Sequence, residues 1–237
     1  MEIHFETIGI IRSCYKEKFG IPRQAGLAPT ATATLELSPP FNQAEAFTGL
    51  EGFSHLWLLF LFHGNDRQGW KATVRPPRLG GNARLGVFAT RSPFRPNPIG
   101  LSAVELERIE QHASKVILHL KGIDLLDGTP IIDIKPYLPY ADAIATASGG
   151  FAAEAPKGQL AVNFLPQPEQ TCRTLEQDRY PGLRQLIIDT LRSDPRPAYY
   201  QQRPQKRSFG MKLFDFDLRW EQDDHGITVI ELHPTDS

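Results

Sequence analysis

The chain has 237 residues, 41% of them hydrophobic and 22% charged, with a formal net charge of −1 at pH 7. This composition excludes a disordered chain, and the near-zero net charge excludes a uniformly basic nucleic-acid coat or membrane-surface protein. The length allows one large domain or two small ones.

Taken in order, the N-terminus Met1-Glu-Ile-His-Phe-Glu lacks a basic region followed by an apolar core, so no signal peptide is expected. Glu6 to Ile11 is β-branched, bounded by charge, and predicts a strand. Ser13 to Gln24 carries Gly20 and Pro22 and predicts a connecting loop. It holds Lys16, Lys18, Arg23 and Gln24, and a loop of that length is either functional or a surface excursion. Thr32 to Leu37 alternates and predicts a second strand. Asn42 to Leu50 predicts a short helix, with Asn42 as N-cap and Glu45 as its capping-box partner. Phe53 to Phe62 is apolar throughout and predicts a strand buried on both faces. Its strongly apolar part, Leu56 to Phe62, is too short to span a bilayer.

Trp70 to Arg84 is broken by Pro76, Pro77, Gly80 and Gly81. Gly86 to Leu101 is the most constrained stretch of the chain. Pro96 and Pro98 bracket Asn97; each fixes its own φ and pushes the residue before it away from helix. The loop bearing Arg91 and Arg95 is therefore stiff. It is either a ligand loop, which loses little entropy on docking, or a proline-rich surface turn with solvated arginines. Leu101 to Ile109 and Lys115 to Lys121 alternate on either side of a polar turn and predict a hairpin. Asp124 to Pro130 predicts a turn, sharpest at Asp127-Gly128, and Ile131 to Ile134 a last short strand. Many short strands with Gly/Pro turns argue for a barrel or a sandwich.

Around Ala141 to Lys157 the composition shifts to Ala, Ser and Gly and predicts a linker. Leu183, Leu186, Ile187, Thr190 and Leu191 fall on one helical face, so Pro181 to Arg192 predicts an amphipathic helix stopped by Pro195. Leu213 to Trp220 alternates as a strand, and Ile227 to Leu232 can pair back on it. The expected fold is mainly β, with an N-terminal barrel (1–142) followed by a small α+β domain (158–237).

Charge is unevenly spread. From Arg67 to Val104 there are seven Lys/Arg and no acid; from Arg192 to Lys212 there are six and one acid, Asp194. The arginines either scatter over a solvated face or meet a local anionic partner, for which RNA is the obvious candidate. Cys14 and Cys172 have no CxxC spacing, which indicates free thiols and a reducing compartment. With no signal peptide and no apolar run long enough to span a bilayer, a soluble, cytoplasmic protein without membrane contact is expected. The histidines lack metal-ligand spacing, so no metal is expected. No Walker loop, GxGxxG fingerprint or GxSxG elbow occurs.

Read together, Ile21-Pro-Arg-Gln24, Gly52-Phe-Ser-His-Leu-Trp57, the loop from Gly86 to Gly100 and the stretch from Asp124 to Tyr137 resemble one known family. It is that of the bacterial tRNA threonylcarbamoyladenosine methyltransferases. The resemblance is dense over residues 5–140 and weaker through Asp194 to Tyr199 and Phe214 to Trp220. It implies an S-adenosylmethionine-dependent β-barrel rather than a Rossmann fold. It further implies methyl transfer to N6 of threonylcarbamoyladenosine at position 37, beside the anticodon of a threonine tRNA, by a homodimer.

The resemblance carries Pro22, Arg23, Gln24, His63, Arg91, Leu101, Asp124, Leu125, Leu126 and Asp127 over as the cofactor set. On chemical grounds the cofactor carboxylate wants Arg91 or Arg23, and its ribose hydroxyls want Asp124 or Asp127. Leu101 and Leu125 can line an adenine slot. Asp124 and Asp127 equally suit plain turn chemistry. Arg95 and Asn97 are the catalytic candidates, and Arg203, Lys206 and Arg207 the candidates for tRNA phosphates. Two alternatives remain open: a non-catalytic RNA-binding barrel, and a small-molecule hydrolase using Asp124 and Asp127 as a carboxylate pair.

Overall fold

The computed structural model describes residues 2–64, 69–80, 82–112, 115–154, 160–195, 207–223 and 226–235. The strands are Gly9–Ser13 (β1), Thr32–Leu37 (β2), His55–Leu61 (β3), Thr73–Val74 (β4), Leu85–Gly86 (β5), Ile99–His112 (β6), Lys115–Lys121 (β7), Pro130–Pro136 (β8), Val162–Phe164 (β9), Arg207–Leu213 (β10), Phe216–Gln222 (β11) and Ile227–Pro234 (β12). The α-helices are Pro139–Asp142 (α1), Pro166–Asp178 (α2) and Leu183–Leu191 (α3).

Six strands close a barrel in the order β1-β2-β7-β6-β3-β8. Closure removes the edges that an open sheet would expose. Alternation fills the inside: Leu56 and Leu58 from β3, Leu118 and Leu120 from β7, with Ile11, Leu35 and Ile131, are all fully buried. A second sheet, β10-β11-β12-β9, follows. Helices α2 and α3 flank it, and Leu183, Ile187 and Leu191 of α3 share its core with Leu218, Trp220 and Val229. The chain is thus mainly β, a barrel followed by an α+β region.

Several expectations need correction. The stretch Asn42 to Leu50 forms two short 3-10 turns, Ala44–Phe47 and Leu50–Gly52, rather than an α-helix. Gly49 at φ 85 breaks the run between them, the N-cap is Gln43, and no side chain caps it. Strand β3 buries one face, Leu56, Leu58 and Phe60; Trp57, Leu59 and Leu61 on the other are only half-buried. The alternating stretch from Leu213 to Trp220 is interrupted, because Phe214 adopts φ 51 and the chain turns from β10 into β11 there. Helix α2 escapes the sequence pattern because its Pro166, Pro168 and polar surface show few periodic apolar residues.

One register pair shapes the barrel mouth. Phe60 of β3 lies opposite Gly100 of β6, and a Cβ on Gly100 would sit 2.1 Å from the Phe60 ring. The ring fills the space a side chain would take and meets Phe62 edge-on, centroids 5.1 Å apart. Gly100→Ala should therefore push Phe60 off its rotamer and destabilise the protein by about 1–3 kcal/mol. A lower denaturation midpoint at unchanged m-value would register this.

Candidate functional site

The Gly86-to-Leu101 loop is braced from within. The Arg95 guanidinium donates to the carbonyls of Thr90 at 2.7 Å and Val87 at 3.2 Å, and its carbon lies 5.5 Å from the centre of the Phe88 ring. Thr90 Oγ1 donates to Val87 O at 2.8 Å. Two tight turns follow, Arg95 N–H to Pro93 O at 2.8 Å and Ile99 N–H to Asn97 O at 2.7 Å. Phe62 N–H to Pro98 O, also 2.8 Å, ties the far end to the strand of the barrel that precedes it.

Beside this loop lies a cleft of about 550 Å³. Its walls are the loop at 21–24, the end of β3 with His63, the loop at 90–95, the start of β6 and the turn at 124–129. Of the residues singled out in the sequence, Pro22, Arg23, Gln24, His63, Arg91, Arg95, Leu101, Asp124, Leu125 and Leu126 all line it. Arg91 donates a hydrogen bond to Gln24 Oε1 across the mouth. Burial holds Arg23 below the ordinary arginine pKa, against the opposing charge of Asp194. Leu125 is buried, whereas Leu101 stays 51% exposed at the rim.

Asp124 dominates the electrostatics. Burial pushes its carboxyl up to about 6, against the hydrogen bonds of Ser102 and the main-chain amides of Asp124 and Ala25 and against the charge of Arg91. Its Oδ1 is buried without a hydrogen-bond partner. A desolvated acceptor left unpaired is costly, and in a cleft it marks the place where a ligand donor belongs. A ribose diol is such a donor. With Arg91 and Arg23 for a carboxylate and Phe60, Leu101 and Leu125 for an apolar ring, the donor set fits S-adenosylmethionine.

Asp127 and Asn97 are not among the lining residues. Asp127 Oδ1 accepts the Ser13 N–H at 2.9 Å, and its Oδ2 meets Lys16 Nζ at 2.9 Å, so this carboxylate fastens the turn to β1. Only Asp124 of the two lines the cleft, which removes the carboxylate pair that a hydrolase would need. Asn97 is exposed. Arg203 and Lys206 lie outside the described residues; Arg207 opens β10, and its side chain lies outside them too.

Sequence reasoning missed Phe60, Ser102 and Thr129, which also line the cleft, as does Lys18 of the loop that follows β1. Ser102 had a legible signal, since it occupies an inward position in the alternating strand that holds Val104 and Leu106. Among the described residues no His/Cys/Asp/Glu group could hold a metal ion, and no helix is long and apolar enough to cross a membrane.

The family model of the tRNA-methyltransferase O N-terminal domain matches residues 10–143, and that of the TrmO C-terminal domain matches residues 157–235. The chain belongs to the tRNA-methyltransferase O family. It is 53% identical to the tRNA (adenine(37)-N6)-methyltransferase of Escherichia coli (strain K12) over 230 residues, 97% of each chain. It is 53% identical over 213 residues to a putative S-adenosylmethionine-dependent methyltransferase, RcsF, of Pseudomonas aeruginosa, covering 90% of each. The crystal structure of TrmO from Pseudomonas aeruginosa superimposes with a TM-score of 0.80 at 44% identity, covering 98% of both chains. The family resemblance and the β-barrel expected from it therefore both hold.

Proposed function

We propose that this tRNA-methyltransferase O family member transfers the methyl group of S-adenosylmethionine to N6 of adenosine 37 in tRNA. Its substrate base carries a threonylcarbamoyl group, as in threonine tRNA. The observation that carries the assignment is the buried, unpartnered Asp124 Oδ1 in a cleft otherwise flanked by Lys18, Arg23, Arg91 and Arg95. A non-catalytic RNA-binding barrel would gain nothing from that carboxylate, which would repel phosphates and destabilise the fold.

When bound, the cofactor supplies a methyl group already activated on a sulfonium. The protein's part is then alignment, because in-line transfer depends on holding donor and acceptor in register. Asp124 takes the ribose hydroxyls, Arg91 or Arg23 the methionine carboxylate, and Leu101 and Leu125 flank the adenine. Arg95 acts as a positioning residue: it braces the loop wall through Val87 and Thr90 rather than touching the reacting atoms.

The barrel unit (1–142) carries the cofactor and the α+β unit (158–237) completes the enzyme, which works in the cytoplasm as a homodimer. Exposed apolar residues outside the barrel core, Tyr140 and Ile144, supply surface that a second copy would cover.

Calorimetry with S-adenosylmethionine tests the assignment. Wild type should bind it, and Arg91→Ala should weaken binding by about 1.5–3 kcal/mol through loss of one charge-assisted contact. No binding to wild type removes the enzyme assignment. Reversal of Arg203, Lys206 and Arg207 to Glu should lower tRNA affinity and flatten its salt dependence by about 2 in log–log slope. Cofactor affinity should stay constant, and unchanged tRNA binding would reduce that stretch to a solvated loop.

A further inference from the structure

The second sheet and its helices do more than follow the barrel. The segment between β1 and β2 carries Pro22, Arg23 and Gln24 into the cleft, and the C-terminal domain grips it on both sides of those residues. On one side, the Phe19 ring stacks on Trp220 of β11, with centroids 5.8 Å apart and planes 5° from parallel. Next to it, Gly20 at φ 89 packs under the Met211 side chain of β10, whose Sδ and Cε would lie 2.5 Å from a Cβ at this position. On the other side, Thr30 Oγ1 donates to Asp189 Oδ2 of α3 at 2.6 Å.

Asp189 is itself buried and held by Gln185 at 2.9 Å and Arg192 at 3.3 Å. A buried carboxylate fixed by three partners is a rigid anchor, because loss of Thr30 or Gln185 leaves a buried acceptor unsatisfied and loss of Arg192 leaves its charge uncompensated. From the barrel itself the segment receives the Gly26 N–H to Gly122 O bond at 2.8 Å. The chain from Phe19 to Thr30 has no helix or strand of its own, so its shape is set by what it is fastened to.

We propose that the C-terminal domain is a clamp that sets the position of Pro22, Arg23 and Gln24, with Phe19 and Thr30 as positioning residues for the cofactor. The proposal rests on the assignment of the cleft as the S-adenosylmethionine site. Its physical content is preorganisation: a loop already held in its binding shape does not lose that freedom when the ligand arrives.

The test uses the full chain in three variants, Thr30→Val, Thr30→Ser and Phe19→Leu. Thr30→Val and Phe19→Leu should each raise the Kd for S-adenosylmethionine by about fivefold or more. Turnover at saturating cofactor and the KM for tRNA should remain near wild type, and Thr30→Ser, which keeps the hydroxyl, should restore affinity. Amide hydrogen exchange across residues 20–29 should accelerate in Thr30→Val even without cofactor. Cofactor affinity unchanged in both weakening variants while they melt as folded proteins overturns the clamp. If wild type binds no cofactor, the assignment of the cleft falls instead. The clamp is then judged on exchange alone, and unchanged protection across 20–29 in Thr30→Val overturns it.

Discussion

Asp124→Asn is expected to make the protein more stable and a poorer binder of S-adenosylmethionine at the same time. In the folded state Asp124 keeps its proton up to about pH 6, whereas its ordinary carboxyl value is 3.8. Between those values the folded state binds the extra proton, so stability falls as pH rises through the window. The loss is complete above about 6. A shift of about two units corresponds to about 3 kcal/mol at most. The amide abolishes this penalty but weakens the contact with Ser102, so a net gain of about 1–2 kcal/mol is expected at pH 8. Near pH 4, where wild type is already neutral, the gain should vanish. Chemical denaturation at the two pH values reads it directly.

Affinity should move the other way. A carboxylate can accept from both ribose hydroxyls, and an amide oxygen replaces only part of that, so binding should weaken by about 1.5–3 kcal/mol, roughly 10- to 100-fold. In wild type the same affinity should decline below about pH 6 as Asp124 takes up its proton. A variant that gains stability at pH 8 and binds as wild type would show that the orphaned oxygen is not the ribose contact.

Replacing both Pro96 and Pro98 with glycine is expected to lower methyl transfer by about 10- to 100-fold while barely moving the melting temperature. The three residues Pro96, Asn97 and Pro98 are exposed, so little packing is lost. What is lost is the preset backbone between the tight turns that end at Arg95 and Ile99. Ordering one freed backbone residue costs about 1–2 kcal/mol, and each 1.4 kcal/mol on the barrier is about tenfold in rate. Arg95→Lys should reproduce part of the loss, because the shorter lysine must place its ammonium where Arg95 Nη1 meets both carbonyls and loses the planar guanidinium beside the Phe88 ring. Asn97→Ala should be near wild type, since Asn97 lies outside the cleft lining. Single-turnover methyl transfer distinguishes these cases. Full turnover in a double-glycine variant that melts early would make the loop a structural element only.

Much of this architecture is legible along the chain. Strand β2 runs over Thr32–Leu37 as alternation predicts, and the inward faces of β6 and β7 are Val104 and Leu106, and Val116, Leu118 and Leu120. Helix α3 buries Leu183, Leu186, Ile187, Thr190 and Leu191, the face its spacing defines. Periodicity works there because a single backbone geometry decides which side chains share a face. It failed at Phe214, where one left-handed residue turns the chain inside a run whose alternation looks unbroken.

The site divides along the same line. Prolines and arginines marked the stiff loop, and four motifs pointed to the family, because both are properties of neighbouring residues. That Asp124 keeps one buried oxygen without a partner while Asp127, three residues on, is held by Lys16 and by Ser13, 114 positions away, is a different kind of fact. The two aspartates are chemically identical in the sequence. Desolvation and long-range partners, which exist only once the barrel has closed, make one a turn fastener and leave the other facing the cleft with an unpaired oxygen. The grip of Trp220 and Asp189 on the cleft loop has the same origin, since residues far apart in the chain meet only through the packing of the second domain on the first.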